Sequence, residues 1–234
     1  MTQNEFIEKL KELNIEISEK QLEQLDKYYE LLVEYNKVMN LTGITEKEQV
    51  YLKHFYDSLT IVKIIDLNKE TTLCDIGTGA GFPGLVIKIL FPNLKVTLVD
   101  SLNKRIEFLK TVIKELKLEN IQAIHYRAEE FAKENREKYD VVVSRAVASL
   151  NTLLEYTIPL LKINKNFIAY KGNISREIIE SKNALKLLNS VIEKQIEFEL
   201  PKEESTRTLL KIKKIKSTKN IFPRKYSEIK KKPL

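Results

Sequence analysis

The first quarter of the chain has the hydrophobic periodicity of amphipathic helices. From Asn4 to about Ile65, apolar residues recur every three or four positions, and Ser18 with Gln21 has the pattern of a capping box at a helix start. No run in this region alternates as a strand does. We therefore predict a small helical extension over residues 1–66, in front of a main domain over residues 67–234.

From Thr71 onward, short apolar runs alternate with helical stretches. This alternation predicts an α/β fold in which parallel strands are joined by right-handed helical crossovers. Two longer strands, Val191–Leu200 and Thr206–Ile215, follow with no helix between them, so we expect the mostly parallel sheet to end in an antiparallel hairpin. The predicted strands of the alternating region are Thr72–Ile76, Lys95–Asp100, Ile121–Tyr126, Tyr139–Ser144 and Asn166–Tyr170, and the predicted helices between them are Pro83–Phe91, Asn103–Leu116, Ala128–Lys138 and Leu150–Leu161.

The composition is that of a globular protein rather than a disordered chain. Of 234 residues, 43% are hydrophobic and 31% are charged, which supplies enough apolar area for a core. Cys74 is the only cysteine, so the sequence excludes an intrachain disulfide and a cysteine-ligated zinc site. The apolar runs are shorter than a membrane span, and residues 1–13 lack a signal-peptide core. We expect a cytoplasmic protein with no membrane partner and no metal, and by default a monomer.

The net charge of +7 is concentrated near the C-terminus. Residues 211–234 hold ten Lys and Arg and one acidic residue, Glu228, whereas the preceding 210 residues hold 30 basic and 32 acidic side chains. A basic segment is typical of a nucleic-acid contact, since each lysine near a phosphate releases a counterion. A solvated tail would have the same composition. Charge alone leaves both interpretations open.

Four of the six glycines lie within eight residues, in a loop of sequence Leu-Cys-Asp-Ile-Gly-Thr-Gly-Ala-Gly-Phe-Pro-Gly over Leu73–Gly84. The last three glycines fit the G-x-G-x-x-G pattern of dinucleotide sites, with Asp100 placed about 20 residues on for a ribose. In the other frame, Asp75 stands two residues before Gly77 and begins the D-x-G-x-G-x-G pattern of S-adenosylmethionine sites in Rossmann-like methyltransferases. A turn that binds no ligand is the third interpretation.

Charge favours S-adenosylmethionine over a dinucleotide. A carboxylate at the tip of the first strand would repel a pyrophosphate by several kcal/mol at an effective dielectric of about 20. S-adenosylmethionine has no phosphate and carries an ammonium and a sulfonium, which attract acidic neighbours. We therefore predict S-adenosylmethionine as the cofactor, bound by Asp75, Gly77, Gly79 and Gly81, with Asp100 at its ribose.

Residues that follow the third and fourth predicted strands complete the candidate site. Ala128 and Glu129 stand where such folds contact an adenine, although Glu129 would also stabilise the first turn of the next helix. Arg127 and Arg145 follow these two strands at the carboxyl edge of the sheet, where ligands bind, and Arg207 begins the last strand. Guanidinium groups suit phosphates and guanine edges, but each arginine could instead form a surface ion pair.

Absent motifs narrow the choice of substrate. Enzymes that methylate exocyclic amines of adenine or cytosine carry an Asn/Asp-Pro-Pro-aromatic motif after the fourth strand, where this chain has Asp-Val-Val-Val-Ser-Arg-Ala-Val. Methylation of pyrimidine C5 needs a cysteine nucleophile, and Cys74 is placed inside the first strand. N7 of guanine has its own lone pair and needs neither group. Its edge is hidden in an RNA duplex, so the target would be a loop or an extruded base.

Short motifs are spread over nearly the whole chain. They are Asn40-Leu41-Thr42, His54-Phe55-x-Asp57-Ser58-Leu59, Asp75-Ile-Gly77-x-Gly79-Ala-Gly81-Phe82-Pro83-Gly84, Val99-Asp100-Ser101, Arg127-Ala128-Glu129, Ser144-Arg145-Ala146-Val147-Ala148, Tyr170-Lys171-Gly172, Pro223-Arg224-Lys225 and Lys232-Pro233-Leu234. Together these motifs resemble those of the bacterial 16S ribosomal RNA guanine-N7 methyltransferase family, also called glucose-inhibited division protein B. Thr78 stands where that family often has Ser, a change that keeps the hydroxyl.

The resemblance implies a Rossmann-like, class I S-adenosylmethionine-dependent methyltransferase that acts on a guanine in a conserved loop of 16S ribosomal RNA. It also implies RNA contact by a basic cleft and the basic tail. The residues implied to contact the cofactor are Gly77, Phe82, Ala128, Glu129 and Arg145. The arginines expected to position the RNA are Arg127, Arg145 and Arg207.

Three other functions stay open on the residues alone. The chain could methylate a small molecule or a protein, it could be a non-catalytic RNA-binding module, or it could be a nicotinamide oxidoreductase. A basic segment over residues 211–234 would be superfluous for a neutral small substrate. We expect no direct catalytic role for His54, because a histidine on a helix usually serves packing.

Overall fold

The computed structural model describes residues 1–145, 147–204 and 206–234. Ala146, in the middle of the Ser-Arg-Ala-Val-Ala motif, lies outside the described residues. The strands are β1 (Thr72–Ile76), β2 (Lys95–Asp100), β3 (Ile121–His125), β4 (Tyr139–Arg145), β5 (Leu161–Lys171), β6 (Ser190–Glu199) and β7 (Thr206–Lys214). The α-helices are α1 (Gln3–Glu12), α2 (Glu19–Met39), α3 (Lys47–Val50), α4 (Asp57–Leu59), α5 (Gly84–Leu90), α6 (Asn103–Glu115), α7 (Ala128–Glu134), α8 (Leu150–Thr157), α9 (Ser175–Glu180), α10 (Lys182–Leu187) and α11 (Tyr226–Lys231).

The described strands form one seven-stranded sheet in the order β3-β2-β1-β4-β5-β7-β6. β1 to β5 pair in parallel, whereas β7 pairs antiparallel with both β5 and β6. The predicted α/β fold, with a mostly parallel sheet that ends in an antiparallel hairpin, is confirmed. The order of the strands reverses between β1 and β4, so the carboxyl ends of β1, β2 and β4 border the crevice where α/β folds bind ligands.

Some element boundaries differ from the prediction for local reasons. The helix predicted over Leu150–Leu161 ends at Thr157, because Pro159 lacks the N–H that a longer helix would use. β5 begins at Leu161 rather than at Asn166, with an irregularity in its pairing to β4 after Tyr139. The helices α9, α10 and α11 were not predicted.

The N-terminal region is helical, as predicted, and it shares the core of the sheet. The side chain of Ser18 accepts a hydrogen bond from the Gln21 backbone, and the Gln21 side chain accepts one from the Ser18 backbone, so the predicted capping box is confirmed. Between α3 and α4 the chain forms a π-helical segment over Tyr51–Tyr56. Buried side chains of this region belong to the same cluster as Leu98 of β2 and Ile168 of β5. The division into units at residues 66 and 67 stays a prediction.

The last twenty residues, 215–234, form a C-terminal strap that packs on α7 and α8. Arg136 donates to the carbonyl oxygens of Thr218 and Phe222, which holds the first half of the strap. Arg224 makes a two-pronged ion pair with Glu155 of α8, whose side chain is fully buried. Ile229 of α11 is also fully buried. No helix in the described part of the chain is both long enough and apolar enough to cross a membrane.

Candidate active site

The glycine loop shapes the crevice at the carboxyl ends of β1 and β2. After β1 the backbone turns back on itself, so that the Gly77 N–H donates to the Val99 carbonyl at 2.9 Å and the Gly79 N–H donates to the Asp100 carboxylate at 2.9 Å. Gly77 has φ of +71°, and a β-carbon there would collide with the side chain of Val147. The loop therefore needs glycine in order to lie this close to the opposite wall.

Above this loop lies a first cavity of about 360 Å³. Asp100 forms part of its wall and is 3% exposed. The oxygen that accepts from Gly79 also pairs with Arg105 at 3.2 Å, and the other oxygen accepts from the Leu102 N–H at 2.9 Å. The described residues that line the first cavity are Leu41, Thr42, His54, Gly77, Thr78, Gly79, Ala80, Phe82, Val99, Asp100, Ser101, Arg105, Tyr126, Ala128, Arg145 and Val147.

Asp75 lies beneath the glycine loop and does not line this cavity. One carboxylate oxygen accepts from the Thr78 hydroxyl and the Gly84 N–H, both at 2.8 Å, which ties the start of the loop to the start of α5. The other oxygen is buried with no hydrogen-bond partner among the described residues. Burial raises the pKa of Asp75 to about 6, against the opposing effect of these two hydrogen bonds and of the Arg145 charge.

This raised pKa predicts a pH-dependent stability that Asp75→Asn removes. Because the folded pKa is about 6 and the usual value 3.8, protonation favours the fold, and that stabilisation is lost as the pH rises through 6. The full effect is about 3 kcal/mol, at 1.36 kcal/mol per pKa unit. Denaturant titrations of both proteins without cofactor should show the variant gaining stability relative to the wild type between about pH 4 and pH 7. A constant difference over that range would contradict the prediction.

A second cavity of about 390 Å³ adjoins the first and lies between the N-terminal helices and the β5–β7 end of the sheet. Its wall combines basic, aromatic and aliphatic side chains. The described residues that line it are Ile44, Lys53, His54, Asp57, Arg145, Tyr170, Lys171, Gly172, Phe198, Arg207, Thr208 and Leu209.

His54 and Arg145 line both cavities and mark the place where they meet. The Arg145 guanidinium lies 3.2 Å from Nδ1 of His54 and 5.2 Å from the centre of the Phe82 ring, on which the imidazole stacks at 4.4 Å. Nε2 of His54 is 2.8 Å from the Thr42 hydroxyl. Burial, with the adjacent Arg145 charge, lowers the pKa of His54 to about 3. The imidazole at this junction is therefore neutral at physiological pH.

Asp57 connects two arginines that come from distant parts of the chain. Its carboxylate accepts from Arg145 at 2.8 Å and lies 3.5 Å from Nε of Arg207. The Asp57 side chain is 6% exposed, so the pair with Arg145 is largely shielded from water. A carboxylate flanked by two guanidinium groups fixes the positions of both arginines at the second cavity.

The structure gathers some of the predicted site residues at the first cavity and places others behind it or beside it. Those that line the first cavity are Gly77, Gly79, Phe82, Asp100, Ala128 and Arg145. Arg207 lines the second cavity instead. Gly81 faces Tyr28 and Leu109 behind the loop. Like Asp75, Gly81 does not line the first cavity and affects its shape only by supporting the loop.

Glu129 and Arg127 lie outside both cavities and form a unit with the strap. Glu129 is 4% exposed and accepts from Nε of Arg127 at 2.6 Å. The Arg127 guanidinium stacks on the ring of Tyr226, 3.9 Å from its centre. The ion pair that the sequence left open for Arg127 is therefore present. Ala128, the residue between them, lines the first cavity.

Sequence reasoning did not assign three residues that the structure places at the junction: Thr42, His54 and Asp57. They occur in the quoted motifs, but the helical context of His54 and Asp57 favoured packing, and Thr42 was given no role of its own. The signal that could have identified them is spacing, because His54 and Asp57 are three residues apart and therefore lie on one face of a helical turn. In the structure, both side chains contact the Arg145 guanidinium.

The first cavity fits S-adenosylmethionine. The glycine backbone forms one wall without side chains, and the carboxylate of Asp100, which lines the cavity, can accept one further hydrogen bond from a ribose hydroxyl. Phe82 and Ala128 offer apolar surface to the adenosine and the methionine chain. The residues that would hold the cofactor are therefore Gly77, Gly79, Phe82, Asp100, Ala128 and Arg145. Asp75 would act beneath them by fixing the loop.

Comparison with known proteins identifies the family of the chain. The family model described as GidB, rRNA small subunit methyltransferase G, matches residues 21–208. The chain is 48% identical to the ribosomal RNA small subunit methyltransferase G of Exiguobacterium sibiricum, over 100% of this chain and 100% of that protein. It is 51% identical to the protein of the same name from Bacillus licheniformis, over 100% of this chain and 99% of that protein. The protein of the same name from Bacillus subtilis is 48% identical over 100% of this chain and 99% of its own length.

Solved structures show that the fold is shared more widely. The YcgJ protein of Bacillus subtilis superposes with a TM-score of 0.54 at 13% identity, over 71% of this chain and 100% of that one. The TYW2 protein of M. jannaschii, solved in complex with AdoMet, superposes with a TM-score of 0.53 at 16% identity, over 63% of this chain and 70% of that one. These similarities support the class I methyltransferase fold. The match of the family model and the full-length identity to its members show that the chain belongs to the rRNA small subunit methyltransferase G family.

Proposed function

We propose that this protein transfers the methyl group of S-adenosylmethionine to N7 of a guanine in 16S ribosomal RNA. The observation that carries the proposal is the pair of cavities that meet at His54 and Arg145. The first cavity has the glycine wall and the carboxylate suited to the cofactor. The second has the basic and aromatic wall suited to an RNA base.

Alignment is the main contribution that the residues at the junction would make. When bound, S-adenosylmethionine supplies a methyl group attached to a positively charged sulfur. N7 of guanine carries an available lone pair, so the chain need not remove a proton from the nucleophile. Arg145 is held by Asp57 at 2.8 Å and by the Lys53 carbonyl at 3.0 Å, and it fixes the border across which the base and the cofactor face each other.

The neutral state of His54 agrees with this mechanism. Its lowered pKa keeps a second positive charge away from Arg145 and away from the base. Stacked on Phe82, the imidazole presents a flat, uncharged surface at the junction. His54 would therefore shape the passage between the cavities rather than exchange protons.

Analysis of ribosomal RNA from a strain that lacks the gene tests the proposed reaction. Mass spectrometry of its 16S RNA should show that one N7-methylguanine is lost, and the plasmid-borne wild-type gene should restore it. The purified chain with labelled S-adenosylmethionine should methylate RNA from the deletion strain but not RNA from the restored strain. Stoichiometric N7-methylguanine in the deletion strain would contradict the proposal.

The basic segment contributes less free charge than its composition indicates. Lys211 and Lys213 of β7 pair with Glu193, and Lys214 is buried beside Glu137. Arg224 is occupied by Glu155 in the same way. The exposed lysines of the strap are Lys216, Lys219, Lys225, Lys230, Lys231 and Lys232. We assign the RNA contact of the tail to these lysines, with Arg127 at the cavity end.

Charge reversal of Lys230, Lys231 and Lys232 to glutamate should weaken RNA binding in a salt-dependent way. Each phosphate contact contributes about 0.7–0.9 to the slope of log affinity against log salt concentration, so the triple variant should flatten the slope by about 2–3 units. Fluorescence anisotropy with a 16S RNA fragment at several salt concentrations measures this slope. The affinity for S-adenosylmethionine should not change.

A matched control separates a local contact from a general change in charge. Lys69, Lys95 and Lys117 are also exposed, but they lie just before or at the start of strands, at the opposite edge of the sheet. Their reversal changes the net charge by the same amount and should leave most of the slope intact. Equal flattening by both triple variants would show that the strap makes no specific contact.

The proposal includes a monomer that acts in the cytoplasm. In its support, the most exposed large apolar side chains of the described residues, Val38, Ile179 and Ile221, lie on three different elements: α2, α9 and the strap. Light scattering of the purified chain should give a mass near 27.3 kDa.

A further inference from the structure

The second cavity contains one acidic group among otherwise basic, neutral and aromatic side chains. Asp57 is the only carboxylate among the described residues that line it. One oxygen of Asp57 forms the ion pair with Arg145. The other oxygen lies 3.5 Å from Nε of Arg207, which is longer than a normal hydrogen bond. An ionised carboxylate can accept about four hydrogen bonds, so Asp57 has capacity for a ligand.

Guanine is the standard base whose chemistry matches such a group. Its Watson–Crick edge presents two adjacent donors, the N1–H and the 2-amino group, which a carboxylate can accept together. Adenine presents an acceptor, N1, at the corresponding position, and this atom would be repelled by a carboxylate. A single acidic side chain can therefore select guanine over adenine among purines.

The position of Asp57 agrees with this orientation of the base. N1 and the 2-amino group form the Watson–Crick edge of the six-membered ring, whereas N7 belongs to the five-membered ring. His54 and Arg145 line both cavities, whereas Asp57 lines the second cavity only. A guanine whose N7 faces the junction would thus direct its donors away from the first cavity, into the space that Asp57 borders.

Flat and apolar surfaces for the base are available in the same cavity. Phe198 of β6 is partly exposed, and Tyr170 of β5 is buried with its hydroxyl donating to the Ser58 carbonyl at 2.6 Å. Ile44 contributes an aliphatic side chain. Aromatic stacking holds a base without regard to its identity, so the choice of base is left to a polar group.

We infer that the second cavity is a guanine-binding site in which the carboxylate of Asp57 accepts hydrogen bonds from N1 and the 2-amino group and so selects guanine. This inference rests on the proposed transfer to N7 and adds the group that recognises the base. Asp57 thereby has two roles, because it also holds Arg145 and Arg207 at the border of the site.

Inosine tests the inference, because it has the N7 and the N1–H of guanosine but lacks the 2-amino group. Small-subunit RNA can be assembled by splinted ligation with guanosine, inosine or adenosine at the position that mass spectrometry identifies as methylated. The wild type should prefer guanosine to inosine by about 10- to 100-fold in kcat/KM, the effect of one hydrogen bond to a charged group. Adenosine should be methylated least.

Asp57→Asn should reduce the preference for guanosine over inosine to nearly one, because an amide cannot accept from both donors as a carboxylate does. A role confined to holding the arginines predicts a different result, in which kcat/KM falls by the same factor for both RNAs and their ratio stays at the wild-type value. Dividing the variant ratio by the wild-type ratio removes any difference in the intrinsic reactivity of N7.

Asp140→Asn is the matched control. Asp140 is also a carboxylate with 6% side-chain exposure, paired with Lys162 and bonded to Thr71 and Thr72, but it lines neither cavity. Its replacement should leave the ratio unchanged. An unchanged ratio in Asp57→Asn, or a wild type that methylates inosine as well as guanosine, would overturn the inference. A wild type that forms no N7-methylguanine would instead overturn the proposed function.

Discussion

Replacement of Arg145 by alanine is expected to lower kcat/KM for methyl transfer to small-subunit RNA by about 100-fold or more, the usual loss when a preorganised donor at a reaction centre is removed. The guanidinium donates to the Asp57 carboxylate, to the Lys53 carbonyl and toward His54 Nδ1, and it lies over the Phe82 ring. The alanine variant therefore lacks the guanidinium group that lines both cavities.

The same change also affects stability, so activity must be measured on folded protein. Breaking one side of a largely buried ion pair costs about 3–5 kcal/mol when the remaining charge has no other partner. Asp57 keeps its contact with Arg207 at 3.5 Å, so the loss should lie toward the lower end of that range. Circular dichroism and denaturant unfolding establish the folded fraction before rates are compared.

Two other arginine variants make the result specific to the junction. Arg145→Lys keeps the charge but not the forked geometry, so its activity should lie between those of the wild type and the alanine variant. Arg127→Ala removes an arginine that follows a strand in the same way but stacks on Tyr226 outside both cavities. It should raise KM for RNA more than it lowers kcat. A kcat/KM of Arg145→Ala close to that of the wild type would contradict the central role of this residue.

The sheet could be predicted from the sequence because its signals are local. β1 and β2 have the predicted bounds, Thr72–Ile76 and Lys95–Asp100, since each is a short apolar run that ends at a turn or an acidic residue. The glycine loop was located by the spacing of its glycines for the same reason. The short helix α11 lacked such a signal, because it is held by packing of Ile229 and by the anchor at Arg224 rather than by its own periodicity.

The candidate site could be predicted only in part because its polar contacts join distant segments. The spacing of the loop and of Asp100 indicated the first cavity. The partnership of Arg145 with Asp57 spans 88 positions of the chain, and no local pattern reveals it. The count of basic residues after position 210 overstated the charge available to RNA, because acidic residues outside that segment neutralise part of it. Glu137 and Glu155 lie far away in sequence, and Glu193 lies on the neighbouring strand β6.

The second large effect is expected for Gly81→Ala in the loop that supports the first cavity. Gly81 has φ of +106°, which an alanine adopts only with strain, and a β-carbon there would lie 2.5 Å from the Tyr28 hydroxyl and 3.1 Å from Cβ of Leu85. Backbone strain and overpacking each cost about 1–3 kcal/mol, so the variant should lose about 3–5 kcal/mol of stability. Denaturant unfolding measures this loss, and calorimetry should show weaker S-adenosylmethionine binding.

Alanine variants of two other glycines separate the cost of backbone strain from the cost of overpacking. Gly43 has no positive φ and no atom within 4 Å of a new β-carbon, so Gly43→Ala should change stability by less than about 0.5 kcal/mol. Gly79 has φ of +61° but the same free space, so Gly79→Ala should cost about 1 kcal/mol from backbone strain alone. The excess at Gly81 then measures the collision with its neighbours.

A double-mutant cycle with Tyr28→Phe identifies the neighbour that causes most of this excess. Tyr28 is fully buried and its hydroxyl donates to the Ala80 carbonyl within the loop, so Tyr28→Phe alone should cost about 1 kcal/mol for the lost hydrogen bond. In the Gly81→Ala background the same change removes the colliding oxygen, and it should cost less or restore stability. If the two losses simply add, or if Gly81→Ala costs no more than Gly79→Ala, the hydroxyl does not limit the space behind the loop.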